Sequence, residues 1–437
     1  MSDESIQPVE RAFSSSITPP PSKSLSNRAL VLAALSSGKS LVRNLLLADD
    51  TRVMIDGLRK LGFEVTVQEE GSPEATVSGL GGKIPAKSAE LFCGNSGTTI
   101  RFLAAVCALG QGNFTLDGVE RMRQRPIGQQ MQMLRDLGVR SQFLQRAGFP
   151  PIQLDADGLP GGLIQFGAAQ SSQFLSAVLM IGPFARHELK VDLIGRQTSW
   201  PYVAMTMQLM DEFGLTPELL RDPATGMPRQ IVVPQGQYAA TEYRVEPDAS
   251  NAAYFMAAAA MHEGSQVVIR GLGRASLQGD VGFAEVLKRM GATVHMQKDC
   301  VTVAGSGLLR GIEVDLSPMP DTAQTLAVAA LRAEGRTIIR GLDTLRVKET
   351  DRLEATATEL KRLGAGVEIE GDTLRIDPPE QISAAEVQTY DDHRMAMSFA
   401  LAATAAPGIV IKDAQCVQKT YPNYFEDLRE VLGSSDA

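Results

Sequence analysis

Residues 248–272 read DASNAAYFMAAAAMHEGSQVVIRGL, and residues 321–342 read DTAQTLAVAALRAEGRTIIRGL. Each opens on an aspartate, runs through small apolar residues, breaks at glycine and resumes as a β-rich run. Alanine and leucine favour helix. A helix that is apolar around most of its circumference belongs inside a core. The valines and isoleucines after the break favour strand. The same element begins around Arg28, Arg101, Gln173, Asn251, Gln324 and Arg394, at intervals of 73, 72, 78, 73 and 70 residues.

A second pattern recurs in the same register. Residues 58–65 (LRKLGFEV), 134–141 (LRDLGVRS), 287–294 (LKRMGATV) and 360–367 (LKRLGAGV) each close an amphipathic segment with glycine and open a short strand. The six glycines are Gly62, Gly138, Gly214, Gly291, Gly364 and Gly433, spaced 76, 76, 77, 73 and 69 residues apart. Glycine just past a helix end accepts a positive φ without Cβ strain. Each unit of about 73 residues therefore holds two helices and several strands, too large for the common solenoid repeats. Six units, three to a domain, fit the length.

The sixth unit stops just after Gly433, and the first twenty or so residues precede the first helix. We expect those residues to complete the last unit. That places crossings near residues 21 and 241, with domains of 22–241 and of 1–21 plus 242–437. The fold class is α/β (α+β by some schemes), with two similar domains and buried helices.

The bulk numbers agree with a soluble protein. A chain of 437 residues fits two or three domains. Lys and Arg number 42 and Asp and Glu 51, so the net charge is −9. That balance argues against nucleic-acid or anionic-membrane partners. The start, MSDESIQPVE, lacks the apolar run of a secretory signal. No apolar stretch reaches the roughly 18 residues of a membrane span. Cys93, Cys107, Cys300 and Cys416 form no CxxC pair and have no nearby His, which predicts free thiols and no metal site. The expected location is the cytoplasm.

The helix starts carry the chemistry. Residues 21–28 (PSKSLSNR), 94–101 (GNSGTTIR) and 170–174 (QSSQF) combine hydroxyls, amides and basic groups. The last three starts carry Asp248, Asp321 and Asp392. Ser, Thr, Asn and Asp are ordinary N-caps, which accounts for Asp248 and Ser250. Capping does not account for Lys23, Arg28 and Arg101, because a cation at a helix N-terminus opposes the dipole. A bound anion satisfies both the cation and the helix end. Residues 346–353 (RVKETDRL) add two Arg, one Lys, one Glu and one Asp beside the repeat.

The motifs KSLSNRAL (23–30), GNSGTTIR (94–101), RPIG (125–128), SSQF (171–174), SWPY (199–202), DAS (248–250), RVKETDRL (346–353), DHRMAM (392–397) and KTYPNYF (419–425) occur in this order along nearly the whole chain. Together they resemble the 5-enolpyruvylshikimate-3-phosphate (EPSP) synthase family. The resemblance implies two domains, each of three βαβαββ units, with the active site in the interdomain cleft. It implies transfer of the enolpyruvyl group of phosphoenolpyruvate to the 5-hydroxyl of shikimate 3-phosphate by addition and elimination, without cofactor or metal. It also implies a monomer and sensitivity to glyphosate. The Met1 start and the complete repeat lead us to expect an undivided chain rather than a piece of a multifunctional enzyme.

By the same resemblance, Lys23, Gly97, Arg125, Gln173, Arg352, Arg394 and Lys419 bind phosphoenolpyruvate. Ser24, Arg28, Ser171, Ser172, Ser199, Tyr202, Asp321 and Lys348 bind shikimate 3-phosphate. Asp321 is the base toward the 5-hydroxyl, which as a helix-start Asp is also expected to cap. Glu349 is the acid toward the methylene carbon, with Lys23 as rival donor. Arg101 and Asp392 support these groups, His393 orients a loop, and Trp200 packs beside the Tyr202 loop.

Departures from the common family pattern are Ser96, Thr98 and Thr99, expected to change the lining near phosphoenolpyruvate; Phe102 for Pro; Thr344 for Asn; and Asp391 for Asn. Phe102 is expected to shift glyphosate affinity. UDP-N-acetylglucosamine enolpyruvyl transferase is the nearest alternative, but residues 117–125 (DGVERMRQR) lack that family's loop Cys. A non-catalytic anion-binding protein on the same fold is the other, and the presence of Asp321 and Glu349 argues against it.

Overall fold

The computed structural model describes residues 2–167 and 171–433. Gln170, quoted in the third helix start, lies outside them. The chain divides into two compact units: Pro21–Val245, and the residues up to Pro20 joined with those from Glu246 onward. The second boundary falls a few residues later than the sequence suggested. Glu242–Arg244 pairs in parallel with Ser37–Arg43, and that ladder keeps the strand in the first of these units.

In the Pro21–Val245 unit, three four-stranded sheets share one order. Ser88–Phe92 runs parallel to Gln111–Asp117, which is antiparallel to Ile152–Asp157, which is antiparallel to Arg140–Phe143. Gly161–Phe166, His187–Leu193, Pro228–Val233 and Glu218–Arg221 repeat that order. Glu242–Arg244, Ser37–Arg43, Glu74–Leu80 and Glu64–Gln68 repeat it again.

In the other unit two four-stranded sheets keep that order, and a third has three strands among the described residues. Ser14–Ile17 lies parallel to Gln266–Arg270 and supplies the first strand of the fourth repeat. Glu4–Ser5 pairs antiparallel with Ile409–Ile411 and completes the sixth. The N-terminal segment thus serves two repeats, where the sequence suggested one.

The six apolar helices are Lys23–Leu35, Gly97–Ala108, Gln173–Ile181, Ala249–Met261, Ala323–Ala329 and His393–Ala405. All residues of Gly97–Ala108 and Ala249–Met261 are buried. Removing each large apolar side chain from water stabilises its unit by roughly 1.5–3 kcal/mol before entropy is counted. The amphipathic helices, such as Asp49–Lys60 and Arg352–Arg362, bury one face only. All six repeat glycines are left-handed, with φ from 71° at Gly433 to 112° at Gly291. No helix among the described residues is long and apolar enough to cross a membrane.

Candidate active site

Four of the six buried helices begin with a side-chain cap, from Ser22, Ser96, Asp248 and Asp392. Ser22 accepts a hydrogen bond from Leu25 N at 3.4 Å, and Asp248 accepts one from Asn251 N at 2.9 Å. Ser250 does not cap; its hydroxyl donates to Asp280. Ser96 caps the Gly97 helix by accepting from Thr99 N at 3.3 Å. Thr99 Oγ1 lies 2.8 Å from Ser96 Oγ and donates to Asp50 O at 3.1 Å. The hydroxyls of Ser96 and Thr99 thus already have partners within the protein, one in capping and one in a bond to the helix Asp49–Lys60.

In the Pro21–Val245 unit the sequence-predicted residues fall into three groups. Lys23 pairs with the buried Asp50 at 3.2 Å. Arg28 is fully buried and donates to Thr206 Oγ1 at 2.7 Å, Ser24 O at 3.0 Å, Ser176 Oγ at 3.2 Å and Tyr202 O at 3.5 Å. Arg101 donates to Gln173 Oε1 at 2.6 Å, Ser171 Oγ at 3.4 Å and Pro126 O at 3.1 Å.

Arg125 donates to Asn95 O at 2.8 Å and to Asn95 Oδ1 at 3.2 Å. A β-carbon on Gly97 would meet both guanidiniums, so glycine lets two cations converge there. Ser172 is buried at the start of the Gln173 helix. Ser199 holds a left-handed φ of 54° before the helix Trp200–Glu212. Trp200 and Tyr202 are the first and third residues of that helix, not part of a loop.

In the other unit one side chain organises the rest. Arg352, the first residue of the helix Arg352–Arg362, is 1% exposed. Its Nε and Nη2 reach Asp392 Oδ2 and Oδ1 at 2.7 and 3.0 Å. Nη1 reaches Asp321 Oδ1 at 3.2 Å, and Nη2 reaches Glu349 Oε2 at 3.0 Å. Burial pulls its proton affinity down, but Asp392, Glu349 and Asp321 outweigh that and hold the guanidinium above its ordinary range.

Asp321 also pairs with Lys348 at 3.4 Å and Arg394 at 3.1 Å. Lys419 Nζ lies 2.9 Å from Glu349 Oε1. Arg394 further donates to Tyr254 OH at 3.3 Å. Among the described residues these pairings bring four cations to three carboxylates, an arrangement suited to an anion.

Asp321 departs from the role of helix cap. It sits in a 3-10 turn, Pro320–Thr322, and Thr322 precedes the helix. A carboxylate ringed by three cations gains more from them than from a backbone N–H. Asp392 does cap, accepting from Arg394 N at 2.9 Å while gripping Arg352. His393 is the first residue of its helix and is buried. Thr344 is buried, and its hydroxyl has no hydrogen-bond partner among the described residues. Asp391 has φ 54°, a region that Asn and Asp tolerate better than most residues.

Asp50, Asn95, Ser176, Thr206 and Tyr254 hold the predicted residues in place, and sequence reasoning missed them. Asp50 reads as first-turn helix charge in sequence. Asn95 lies inside the GNSGTTIR motif, which does not single it out, and nothing in the linear pattern marks Ser176, Thr206 or Tyr254.

The model of the family described as EPSP synthase (3-phosphoshikimate 1-carboxyvinyltransferase) matches residues 9–428. The chain is 43% identical to a 3-phosphoshikimate 1-carboxyvinyltransferase of Sulfurovum sp. (strain NBC37-1) over 434 residues, covering 99% of each. It is 45% identical to that of Shewanella baltica (strain OS185) over 415 residues, covering 95% of this chain and 96% of the other. Among solved structures, an EPSP synthase from Acinetobacter baumannii superposes with a TM-score of 0.79 at 28% identity, covering 98% of this chain and 97% of that one.

Proposed function

The chain belongs to the EPSP synthase family, and we propose that its two sets of polar residues together carry out that family's enolpyruvyl transfer. The activity is that of a 3-phosphoshikimate 1-carboxyvinyltransferase, and the substrates are shikimate 3-phosphate and phosphoenolpyruvate. Asp321 takes the proton of the 5-hydroxyl as its oxygen bonds to C2 of phosphoenolpyruvate. Glu349 delivers a proton to C3, giving a tetrahedral adduct that carries both the sugar-acid oxygen and the phosphate on C2. Glu349, left deprotonated by the addition, takes a proton back from C3 as the C2–O bond to phosphate breaks, and the double bond is restored. Lys23, beside Asp50, is the alternative donor to C3.

The observation that supports these roles most is the fork at Arg352. One buried guanidinium touches Asp321 through Nη1 and Glu349 through Nη2, so the base and the acid are held in a fixed relation. Lys348, Arg394 and Lys419 surround them and offer charge to phosphate and carboxylate groups. Arg28 with Ser24, Ser171, Ser172, Ser199 and Tyr202 holds shikimate 3-phosphate. Gly97, Arg125 and Gln173 serve phosphoenolpyruvate. We assign the protein to the cytoplasm as a monomer.

The test mixes purified protein with both substrates, without added metal, and follows phosphate release with mass detection of the sugar product. Phosphate with a product heavier by one enolpyruvyl unit supports the reading. Single turnover of Asp321→Ala and Glu349→Gln then separates the roles. We expect the first to block adduct formation and the second to slow proton delivery by about 10²–10⁴-fold. Binding of both ligands with no phosphate release would overturn the reading.

A further inference from the structure

Arg28 is a fully buried cation whose hydrogen-bond partners among the described residues are all neutral. Burial pushes its guanidinium down to about 10, so it is still charged at neutral pH. Guanidinium hydrogen bonds lie in its plane, and its flat face can only stack. Cζ of Arg28 lies over the ring of Phe102, 5.1 Å from the centroid, inside the range of a cation–π contact. Phe102 is itself fully buried, on the next buried helix, Gly97–Ala108.

The arrangement recurs one repeat further on. Arg101 Cζ lies 5.0 Å over the ring of Phe174, which belongs to the helix Gln173–Ile181. Arg28 and Phe102 are 74 residues apart and Arg101 and Phe174 are 73 apart, which is the repeat interval. A cation near one helix start is seated on the aromatic ring near the next.

We propose that Phe102 is a positioning residue for shikimate 3-phosphate, acting through Arg28: its ring is the seat that holds the guanidinium where it meets the acceptor's anionic groups. This rests on the reading that Arg28 holds shikimate 3-phosphate. It moves Phe102 from the phosphoenolpyruvate and glyphosate side, where the sequence placed it, to the acceptor side. An aliphatic side chain of similar volume fills the space but offers no π face. The guanidinium is then free to turn among its hydroxyl and carbonyl partners, and ordering it again weakens the acceptor.

The experiment measures the dissociation constant of shikimate 3-phosphate alone by calorimetry, for the parent and for Phe102→Leu, and then the KM of each substrate. Phe102→Leu is expected to weaken shikimate 3-phosphate by about tenfold and to leave the KM of phosphoenolpyruvate within about twofold. A general loosening of the unit would move both constants together, and that result overturns the proposal. So does a leucine variant that binds the acceptor as tightly as the parent. If the leucine variant does not fold, Phe102→Met carries the same comparison. A parent that fails to bind shikimate 3-phosphate overturns the functional reading and the proposal with it. A parent that binds, beside an unaffected variant, overturns the proposal alone.

Discussion

Gly97→Ala should separate function from stability where we propose that phosphoenolpyruvate binds. The new β-carbon would lie 2.6 Å from Arg125 Nη2 and 3.1 Å from both Arg125 Cζ and Arg101 Nη1. Ordinary contact begins near 3.4 Å, so the Arg125 guanidinium must retreat by about 0.8 Å. It is the end of a flexible side chain, and its two bonds to Asn95 are among the contacts that resist the move. Alanine in a helix is favoured over glycine by about 0.8–1 kcal/mol. The gain and the strain offset, so stability should stay within about 1 kcal/mol of the parent.

Binding responds differently. A misplacement near 1 Å can cost on the order of 10²-fold in a positioned reaction. The KM of phosphoenolpyruvate should rise about 10- to 100-fold while that of shikimate 3-phosphate changes little. Steady-state kinetics in each substrate, with denaturant unfolding alongside, read both quantities. An unchanged KM for phosphoenolpyruvate would refute the geometric reasoning, and a loss of several kcal/mol in stability would refute the energetic half.

Asp392→Asn removes the charge from a buried pair that grips Arg352 at 2.7 and 3.0 Å. Asp321 and Glu349 still partner the guanidinium, so the loss should be about 2–4 kcal/mol, seen as a lower urea midpoint at unchanged slope; a loss below about 0.5 kcal/mol would contradict it. His262, buried against Thr404 Oγ1 at 2.9 Å, is held down to about 4, chiefly by burial and secondarily by Arg332. Its lowered folded value means that the stability it leaves intact above about pH 6.5 is lost as pH falls toward 4, by about 3 kcal/mol over that interval. The unfolding free energy of His262→Gln should fall less steeply over the same range, and parallel curves would disprove this.

The fold was legible because its determinants are local and repeat. Gly62, Gly138 and their four equivalents announce helix ends by needing a left-handed backbone, and the alanine-rich helices announce burial by lacking a polar face. The N-terminal segment was half legible. Its missing partner could be counted in the sixth unit, but the parallel pairing of Ser14–Ile17 with Gln266–Arg270 leaves no gap to count. Site residues at helix starts were visible where a cation contradicted the dipole, as at Lys23, Arg28 and Arg101. Which side chains meet was not visible. Asp50 and Asp248 both begin helices, yet one pairs with Lys23 and the other caps. That choice depends on where side-chain tips converge from elements far apart in sequence. At Ser96 the hydroxyl caps its helix, which the sequence pattern of a helix start does not separate from a place in the site.

The buried guanidiniums of Arg352 and Arg28 are handled in opposite ways, and the difference has a measurable consequence. Arg352 is matched by carboxylates on every side, whereas Arg28 has hydroxyls, carbonyls and a ring. A shift of the Arg28 guanidinium from 12.5 to about 10 means that its charge costs the folded state about 3 kcal/mol at neutral pH. Arg28→Met replaces it with an unbranched apolar chain of similar reach. The neutral partners are not stranded, because Thr206 Oγ1 also donates to Tyr202 O at 2.8 Å and Ser176 Oγ keeps its 2.9 Å bond to Thr206. The variant should therefore be more stable than the parent by about 1–3 kcal/mol while losing affinity for shikimate 3-phosphate. Urea unfolding and calorimetric titration measure the two effects separately. If Arg28→Met were instead less stable by more than about 1 kcal/mol, the cation would be a structural tie rather than a binding group held ready at the expense of stability, and the positioning role of Phe102 would lose its premise.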